Sequence, residues 1–531
     1  MRFTKKSLRR RTKSLSKQKQ NNSDSTENNG LNRNLNENIQ HVKDKTGNSD
    51  DIIVREIHIG QDGNLKAGVL FTEGLIDNVS NQNFILESLM VDIRKADLDT
   101  NDSYKQNPLQ YFKDSVLTVG DIKDITDYDV LFASLLSGKV IFLLDGFAQG
   151  YAIGMKGGKD RGVPEATIEN TVRGPKEAYT ENLRTNTALL RRKIKDQNLW
   201  LESKKIGTVT KTDISIAYMN GIANDKVVDE VRERLDRIEI DSILETGYIE
   251  ELIQDETYTP FPTIFHTERP DVTAGALLEG RIAIFVDGTP HALLVPALFI
   301  QFFQTADDYY QRADITTILR LLRFLGFFIA LLAPSLYIAI TTFHQEMLPT
   351  GLLISLAAQR EGVPFPAFIE ALMMEVTFEI LREAGVRMPK AIGQAISIVG
   401  TLVIGTAAVE AGIVSAAMVI VVAITAISSF IISSFNIAIS VRMLRFIFMA
   451  LAASFGLFGI IIGLIALVLH LCSLRSFGVP YMSPFAPFIA EDQKDAFFRF
   501  PRWALLSRPR LISQKNVERE DSPKPRPKEQ K

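Results

Sequence analysis

Cysteine and tryptophan are nearly absent from this 531-residue chain, which has one Cys and two Trp. A lone thiol, Cys472, excludes an intrachain disulfide framework and a cysteine-rich metal site, and it reads as a small packing residue near the end of an apolar run. The six His are scattered, and no H-E-x-x-H pair is present to hold zinc. No G-x-S-x-G elbow occurs. The cluster GMKGGKD at 154–160 misses the phosphate-loop pattern in its glycine spacing and lacks Ser or Thr after the lysine. These absences predict a protein that is not an enzyme and uses no cofactor or metal. A secretory signal is also missing, because the basic start runs into Asn, Ser and Asp instead of an apolar core.

Charge is present but segregated. The net charge is −2, yet Met1–Gln20 carries nine Lys/Arg and no acid, and Arg499–Lys531 carries ten against four acids. Basic ends flanking apolar segments predict a cytoplasmic side for both termini. The first 20 residues read as a solvated arm, or as one drawn to anionic lipid rather than to nucleic acid. Residues 21–49 contain nine Asn and few large apolar side chains, which predicts disorder, so 1–49 is expected to be a disordered arm.

Long apolar runs fill residues 291–475. About 20 apolar residues cross a bilayer as a helix. Four stretches meet that length, at 321–341, 391–409, 415–435 and 446–474, and the last exceeds what one span needs. It carries Gly459-x-x-x-Gly463, a spacing that lets helices approach closely. Leu293–Phe303 and Leu352–Ala358 are too short to span; the first is expected at the interface or packed on the first span, and the second as a re-entrant piece. Four spans place the basic tail (476–531) inside but leave Arg382, Arg387, Lys390, Arg442 and Arg445 outside, against the positive-inside tendency; a further span over the helix at 366–384 would return Arg442 and Arg445 inside but put the more basic tail outside, so four are expected.

An amphipathic helix is predicted over 366–384, started by Pro364 and Pro366 and ended by Gly385. At about 100° per residue, Glu375, Glu379 and Glu383 share one face and Leu372, Val376 and Ile380 another. Charge is costly inside a bilayer, so the helix is expected at the membrane surface or lining water, where the three acids would form a cation-attracting vestibule.

Residues 50–290 show mixed α/β patterning, expected as subdomains 50–160 and 161–290. Ile52–Ile59 and Leu65–Phe71 read as strands of a hairpin, while 84–95 and 225–238 have helical spacing. An internal echo links GKVIFLLDG (138–146) with GRIAIFVDG (280–288). Two readings are open: ordinary hairpins with glycine turns, or two related subdomains. The predicted fold is therefore an α+β cytoplasmic region followed by an all-α polytopic membrane domain.

The stretch VRGPKEAYTENLRTNTALLRR (172–192) is densely polar. Its Arg173, Lys176, Arg184, Arg191 and Arg192, with Lys193, form either a solvated face with ion pairs or a surface for phosphate or an acidic partner. This stretch, ERPDVTAGALLEGRIAIFVDGTP (268–290), EGVPFPAFIEALMMEVTFEILREAGVRMPKAIG (361–393) and IGLIALVLHLCSLRSFGVPYMSPFAP (462–487) resemble the A subunits of GerA-type spore germinant receptors, and the resemblance runs from about 50 to 490. It implies an inner spore membrane protein that oligomerises into a nutrient-gated cation channel beside a transporter-like B subunit and a lipoprotein C subunit. Arg173, Gly174, Pro175, Glu177, Arg184 and Asn186 are its motif residues for an interaction surface. The chain departs from the family at VIGTAAVEAGIVSAAM, where Gln is common at Thr406 and Pro at Ala416 or Ala417.

A pore helix needs small residues toward its axis. The glycine-rich stretch Ala391–Gly412 is the candidate, with Gly400 at a close approach, Val403 as constriction, Thr406 as polar lining and Glu410 as a ring at one mouth. The alternatives are glycines that serve only helix packing, a non-conducting scaffold that transmits a signal, and a secondary transporter, which would need more spans and paired repeats.

Overall fold

The computed structural model describes residues 29–59, 65–77, 108–111, 113, 121–155, 157, 165–167, 169–387, 405–519 and 524–525. The chain forms two compact units, one of residues 1–164 with 180–204 and one of 165–179 with 205–531. This division departs from the expected subdomain boundaries, because the second unit takes in the apolar helices and the tail.

In the first unit, β1 (Ile52–Ile59), β2 (Leu65–Thr72), β3 (Ile122–Ile125), β4 (Val140–Leu144) and β5 (Gly150–Ile153) make an antiparallel sheet ordered β1-β2-β4-β5-β3. The expected hairpin forms, with Ile52 opposite Thr72 and Ile59 opposite Leu65. Its turn at 60–64, the helical spacing at 84–95 and most of the 154–160 cluster lie outside the described residues. Side chains alternate between the two sheet faces. Val69, Phe142 and Tyr151 pack on one, and Leu70, Ile141 and Ala152 on the other, under α1 (Leu35–Lys45) and α2 (Tyr128–Leu135).

The described part of the Asn-rich arm is folded, not disordered. Asn34 caps α1 by accepting from the Asn36 N–H at 3.0 Å. Leu35, Ile39 and Val42, spaced four and three apart, are buried in the core. Asn38 is buried too, accepting from the Tyr128 hydroxyl at 2.6 Å and donating to the Asn32 carbonyl at 2.7 Å. Three well-spaced apolar residues and satisfied amides outweigh the composition. From α3 (Leu183–Lys193), Arg191 reaches Asp51 at 2.8 Å in a fully buried pair. The strand β6 (Leu199–Ile206) leads the chain into the second unit.

There β7 (Thr212–Met219), β8 (Phe265–Thr267), β9 (Ile282–Val286) and β10 (Ala292–Val295) are ordered β7-β9-β10-β8. This repeats the order β2-β4-β5-β3, so the echoed segments occupy the same place in two sheets. Gly146 and Gly288 turn their hairpins at φ of 89° and 92°, values open to glycine. The helices α4 (Asp225–Asp236), α5 (Thr246–Ile253) and α6 (Pro270–Leu278) belong to this unit. Of the two places expected for Leu293–Phe303 it takes the second: it forms β10 and a buried 3-10 turn over Phe299–Phe303, whose Phe303 ring stacks on Phe324 of the first long apolar helix.

Among the described residues, five helices of more than ten residues follow: α7 (Ala313–Phe343), α8 (Thr350–Arg360), α9 (Ala367–Arg387), α10 (Ala416–Ile431) and α11 (Phe435–Ser473). Among the described residues, α7 and α11 are long and apolar enough to cross a membrane. α11 is two helices. Gly456 leaves helical geometry at φ 59° and ψ −141°, and a Cβ there would meet the His344 ring at 2.7 Å. Beyond it the chain doubles back. A Cβ on Gly459 would collide with the Leu451 carbonyl, and one on Gly463 would stand 2.9 Å from Phe448 and Leu451. Partners that step in opposite directions mean antiparallel halves, and the two glycines lie at the close approach their spacing predicts. Both far ends meet the α/β region: Ser440 donates to the Pro260 carbonyl, and His470 lies 2.9 Å from the Thr259 hydroxyl.

α7 begins beside this region, where Arg320 binds Asp308 at 2.9 Å, and ends at the Gly456 turn. α10 runs the other way, since Gly326 faces Ser428 and Ile431. The tail from Arg475 to Arg519 is packed rather than free: the Tyr481 carbonyl accepts from Phe299 N–H at 2.9 Å, and Ser513 donates to the Ile222 carbonyl at 2.9 Å.

Candidate functional site

α9 turns Glu370 and Glu375 inward and Val376 and Ile380 outward, while Phe368, Ala371, Leu372 and Met374 pack on the core. Glu375 is fully buried and accepts from Arg445, which is itself buried and donates through Nε to the Ala330 carbonyl at 2.9 Å. Ala330, Glu375 and Arg445 lie near the midpoints of α7, α9 and the first half of α11, so the pair sits at half the height of the bundle. One turn on, Glu379 binds Arg442 at 2.7 Å. One turn before, Glu370 is buried, accepts from the Ser415 N–H and hydroxyl at 3.0 and 2.9 Å, and lies 3.4 Å from Arg360. Val376 and Ile380 are 43% and 64% exposed.

This corrects the expected vestibule of Glu375, Glu379 and Glu383. Helical spacing did place Glu375 and Glu379 on one side, but that side faces α11 and its arginines instead of water. Glu383 alone is exposed, and it pairs with Arg387 at 2.6 Å. α9 runs from Ser415, at the far end of α10, back to Arg382 beside Phe430 at the near end, parallel to α10. Its 21 residues cover about 31 Å at 1.5 Å per residue.

Of the proposed pore residues, Gly400 and Val403 lie outside the described residues. Thr406 and Glu410 are on the six-residue helix Gly405–Glu410, both exposed and four apart on one face.

The motif at 172–192 is held by internal bonds. Arg173 and Gly174 are exposed; the Arg173 N–H donates to Asp307 at 3.3 Å, and Gly174, at φ 134°, lies against the Tyr310 ring. The Pro175 carbonyl accepts from Arg269 at 2.8 Å. Glu177 bridges to Glu165 through the backbone. Arg184 pairs with Glu73 at 3.3 Å. Asn186 is buried and ties back to Thr180, accepting at 2.7 Å and donating at 2.6 Å. Arg191, expected on a basic surface, is buried against Asp51, because a buried carboxylate there requires a charged donor.

Sequence reasoning passed over Arg269. Its guanidinium is buried, binds Asp271 at 2.8 Å, and donates to the Glu169 and Pro175 carbonyls at 3.1 and 2.8 Å, so the 268–290 motif fixes the start of the 172–192 motif. The Arg-Pro dipeptide at a helix start was the available signal. Nearby, burial pushes the Glu169 carboxyl up to about 7, although it accepts from the Thr267 hydroxyl at 2.5 Å.

A mixed α/β region joined to apolar helices with buried arginine–carboxylate pairs defines a class of protein with charge inside and hydrocarbon outside. The chain belongs to the Bacillus/Clostridium GerA spore germination protein family, whose model matches residues 40–511. It is 50% identical over 486 residues to spore germination protein KA of Bacillus subtilis (strain 168), covering 92% of this chain and 88% of that protein. It is 40% identical to spore germination protein B1 of the same organism (90% and 96% covered) and 37% identical to spore germination protein GerLA of Bacillus cereus (92% and 97%). A crystal structure of the N-terminal domain of the A subunit of the Bacillus megaterium spore germinant receptor GerK3 is 48% identical, covers 51% of this chain and 98% of that one, and has a TM-score of 0.41.

Proposed function

We propose that the chain is the A subunit of a nutrient receptor in the inner spore membrane, and that its oligomer forms a nutrient-gated cation channel. It acts without catalysing a reaction, beside a transporter-like B subunit and a lipoprotein C subunit. The observation that carries this reading is the reversed polarity of the helices: Glu375 and Arg445 are inside, while Ile380, Ile424, Ile461 and Ile465 are outside. In water this arrangement would strand apolar surface. In a bilayer the outer residues meet lipid, and the buried pair avoids it.

α7, α9, α10 and both halves of α11 then cross the membrane, and the pore stretch 391–412, which must return the chain from the end of α9 to the start of α10, makes a sixth crossing of a polytopic domain. With α9 as a span, Arg382, Arg387 and Arg442 come to the same side as the α/β region and the basic tail. That assignment removes the charge conflict of the four-span reading and places both termini in the cytoplasm. The ion path belongs to Ala391–Gly412, with Gly400, Val403, Thr406 and Glu410 lining it, and the Glu375–Arg445 and Glu379–Arg442 pairs hold α9 to α11 while the path is closed. Pairing of these acids also favours a second reading, a non-conducting transducer in which the pairs only transmit strain.

Liposomes holding the purified A, B and C subunits separate the two. Nutrient-triggered potassium or sodium flux is expected, and Val403→Ala is expected to leak without nutrient. Nutrient binding without flux would leave the transducer.

A further inference from the structure

A cavity of about 450 Å³ opens in the second unit. That volume is in the range of small-molecule sites. One wall comes from the α/β region through Phe265, Arg281 and His291; another comes from the turn between α10 and α11 through Ile432 and Ser433.

Arg281 is the unusual member. It is 4% exposed, and its Nε and Nη1 have no hydrogen-bond partner. Its nearest carboxylate, Glu279, is 3.7 Å away and is shared with Arg519 at 3.6 Å. Two guanidinium groups against one carboxylate leave an excess positive charge at this end. A buried charged donor without an acceptor is destabilising, and a bound anion would relieve that cost.

The acids elsewhere in the cavity do not supply that anion. Glu268 accepts from the Glu169 N–H at 2.8 Å and the Thr167 hydroxyl at 3.3 Å, and Glu169 accepts from Thr267. Arg269 is already held by Asp271. The rest of the lining is mixed: His266, His291, Gln301 and Gln304 add polar groups, and an apolar part lies where the Phe265 and Phe302 rings stand 5.3 Å apart, with Ile432 and Phe430 also in the lining.

We propose that this cavity binds a small organic carboxylate, its anionic group on Arg281 and its apolar body on Phe265, Phe302 and Ile432. The ligand would touch the α/β region and the α10–α11 turn together. Ser433 in that turn donates to the Phe302 carbonyl at 2.8 Å, so an occupant would tighten a connection that already exists. Ligand occupancy would therefore favour whichever helix arrangement closes the cavity. This inference does not rest on ion conduction, and a binding readout tests it separately.

The full-length chain in detergent is titrated with benzoate and with hexanoate, followed by calorimetry and thermal shift. Saturable binding is expected for at least one, with neutral benzamide and inorganic phosphate much weaker. Arg281→Met is expected to weaken binding roughly tenfold to a hundredfold, the loss of one charged hydrogen bond. Ile432→Trp, which fills the apolar end and keeps Arg281, is expected to abolish binding while the thermal transition is retained, and it carries the test if Arg281→Met fails to fold. Absence of saturable binding by both carboxylates would overturn the proposal. So would affinities unchanged in Ile432→Trp, or phosphate and benzamide that bind as tightly as benzoate.

Discussion

α1 and α9 solve opposite problems with similar means. α1 comes from an Asn-rich arm, hides Leu35, Ile39 and Val42, and turns its polar residues outward. α9 comes from an apolar region, hides Glu370 and Glu375, and turns Val376 and Ile380 outward. The first follows the rule for helices in water; the second follows it in reverse. Composition misleads in both cases, because what decides is where a few side chains fall around the helix and what faces them.

The contrast can be broken most strongly at the buried pair. Glu375→Leu leaves Arg445 charged and unpaired, with an expected loss of about 3–5 kcal/mol; Glu375→Leu with Arg445→Leu should recover most of it. Thermal unfolding of the detergent-solubilised chain reads both. Next comes the outer face of α9. Ile380→Lys should cost about 2.5–3.5 kcal/mol for insertion into a bilayer, while Gln40→Lys on the exposed face of α1 should stay within about 0.5 kcal/mol. Membrane-integrated and soluble fractions measure the first, and urea unfolding the second.

The inner face of α1 gives a smaller effect. Ile39→Ala should lose about 2 kcal/mol from the first unit, at the low end for a buried methyl-rich side chain. Trp200, whose ring packs against Gly47 just beyond α1, reports this by fluorescence in a Trp503→Phe background. The last is a pH effect at Glu169. Its folded value of about 7 stands above the ordinary 4.5, so the folded state holds the proton more tightly. Stability present below pH 4.5 is lost as pH rises to about 7, and Glu169→Gln should flatten that slope in a melting series.

Much of the architecture was legible. Period-two runs gave the β1–β2 hairpin, while the GKVIFLLDG and GRIAIFVDG echo left ordinary hairpins and related subdomains open until the shared strand order decided for the second. The Gly459–Gly463 spacing marked a close helix approach. Three features were not legible, each for a local reason. The α11 turn at Gly456 sits inside FGLFGIIIG, which reads as unbroken apolar helix until His344 and Phe343 are brought against it. α1 was masked by its asparagines, which look like disorder until Asn34 and Asn38 find partners. The inward direction of Glu375 depended on Arg445, 70 residues away, and no periodicity on α9 alone reports such a partner.

The central claim is that α9 faces lipid with Ile380 and protein with Glu375. A nitroxide at Ile380→Cys, in a Cys472→Ser background with the chain in liposomes, tests it directly by spin relaxation. High accessibility to oxygen and low accessibility to a water-soluble nickel chelate are predicted. A label relaxed by the nickel chelate as strongly as one at an exposed loop would contradict it.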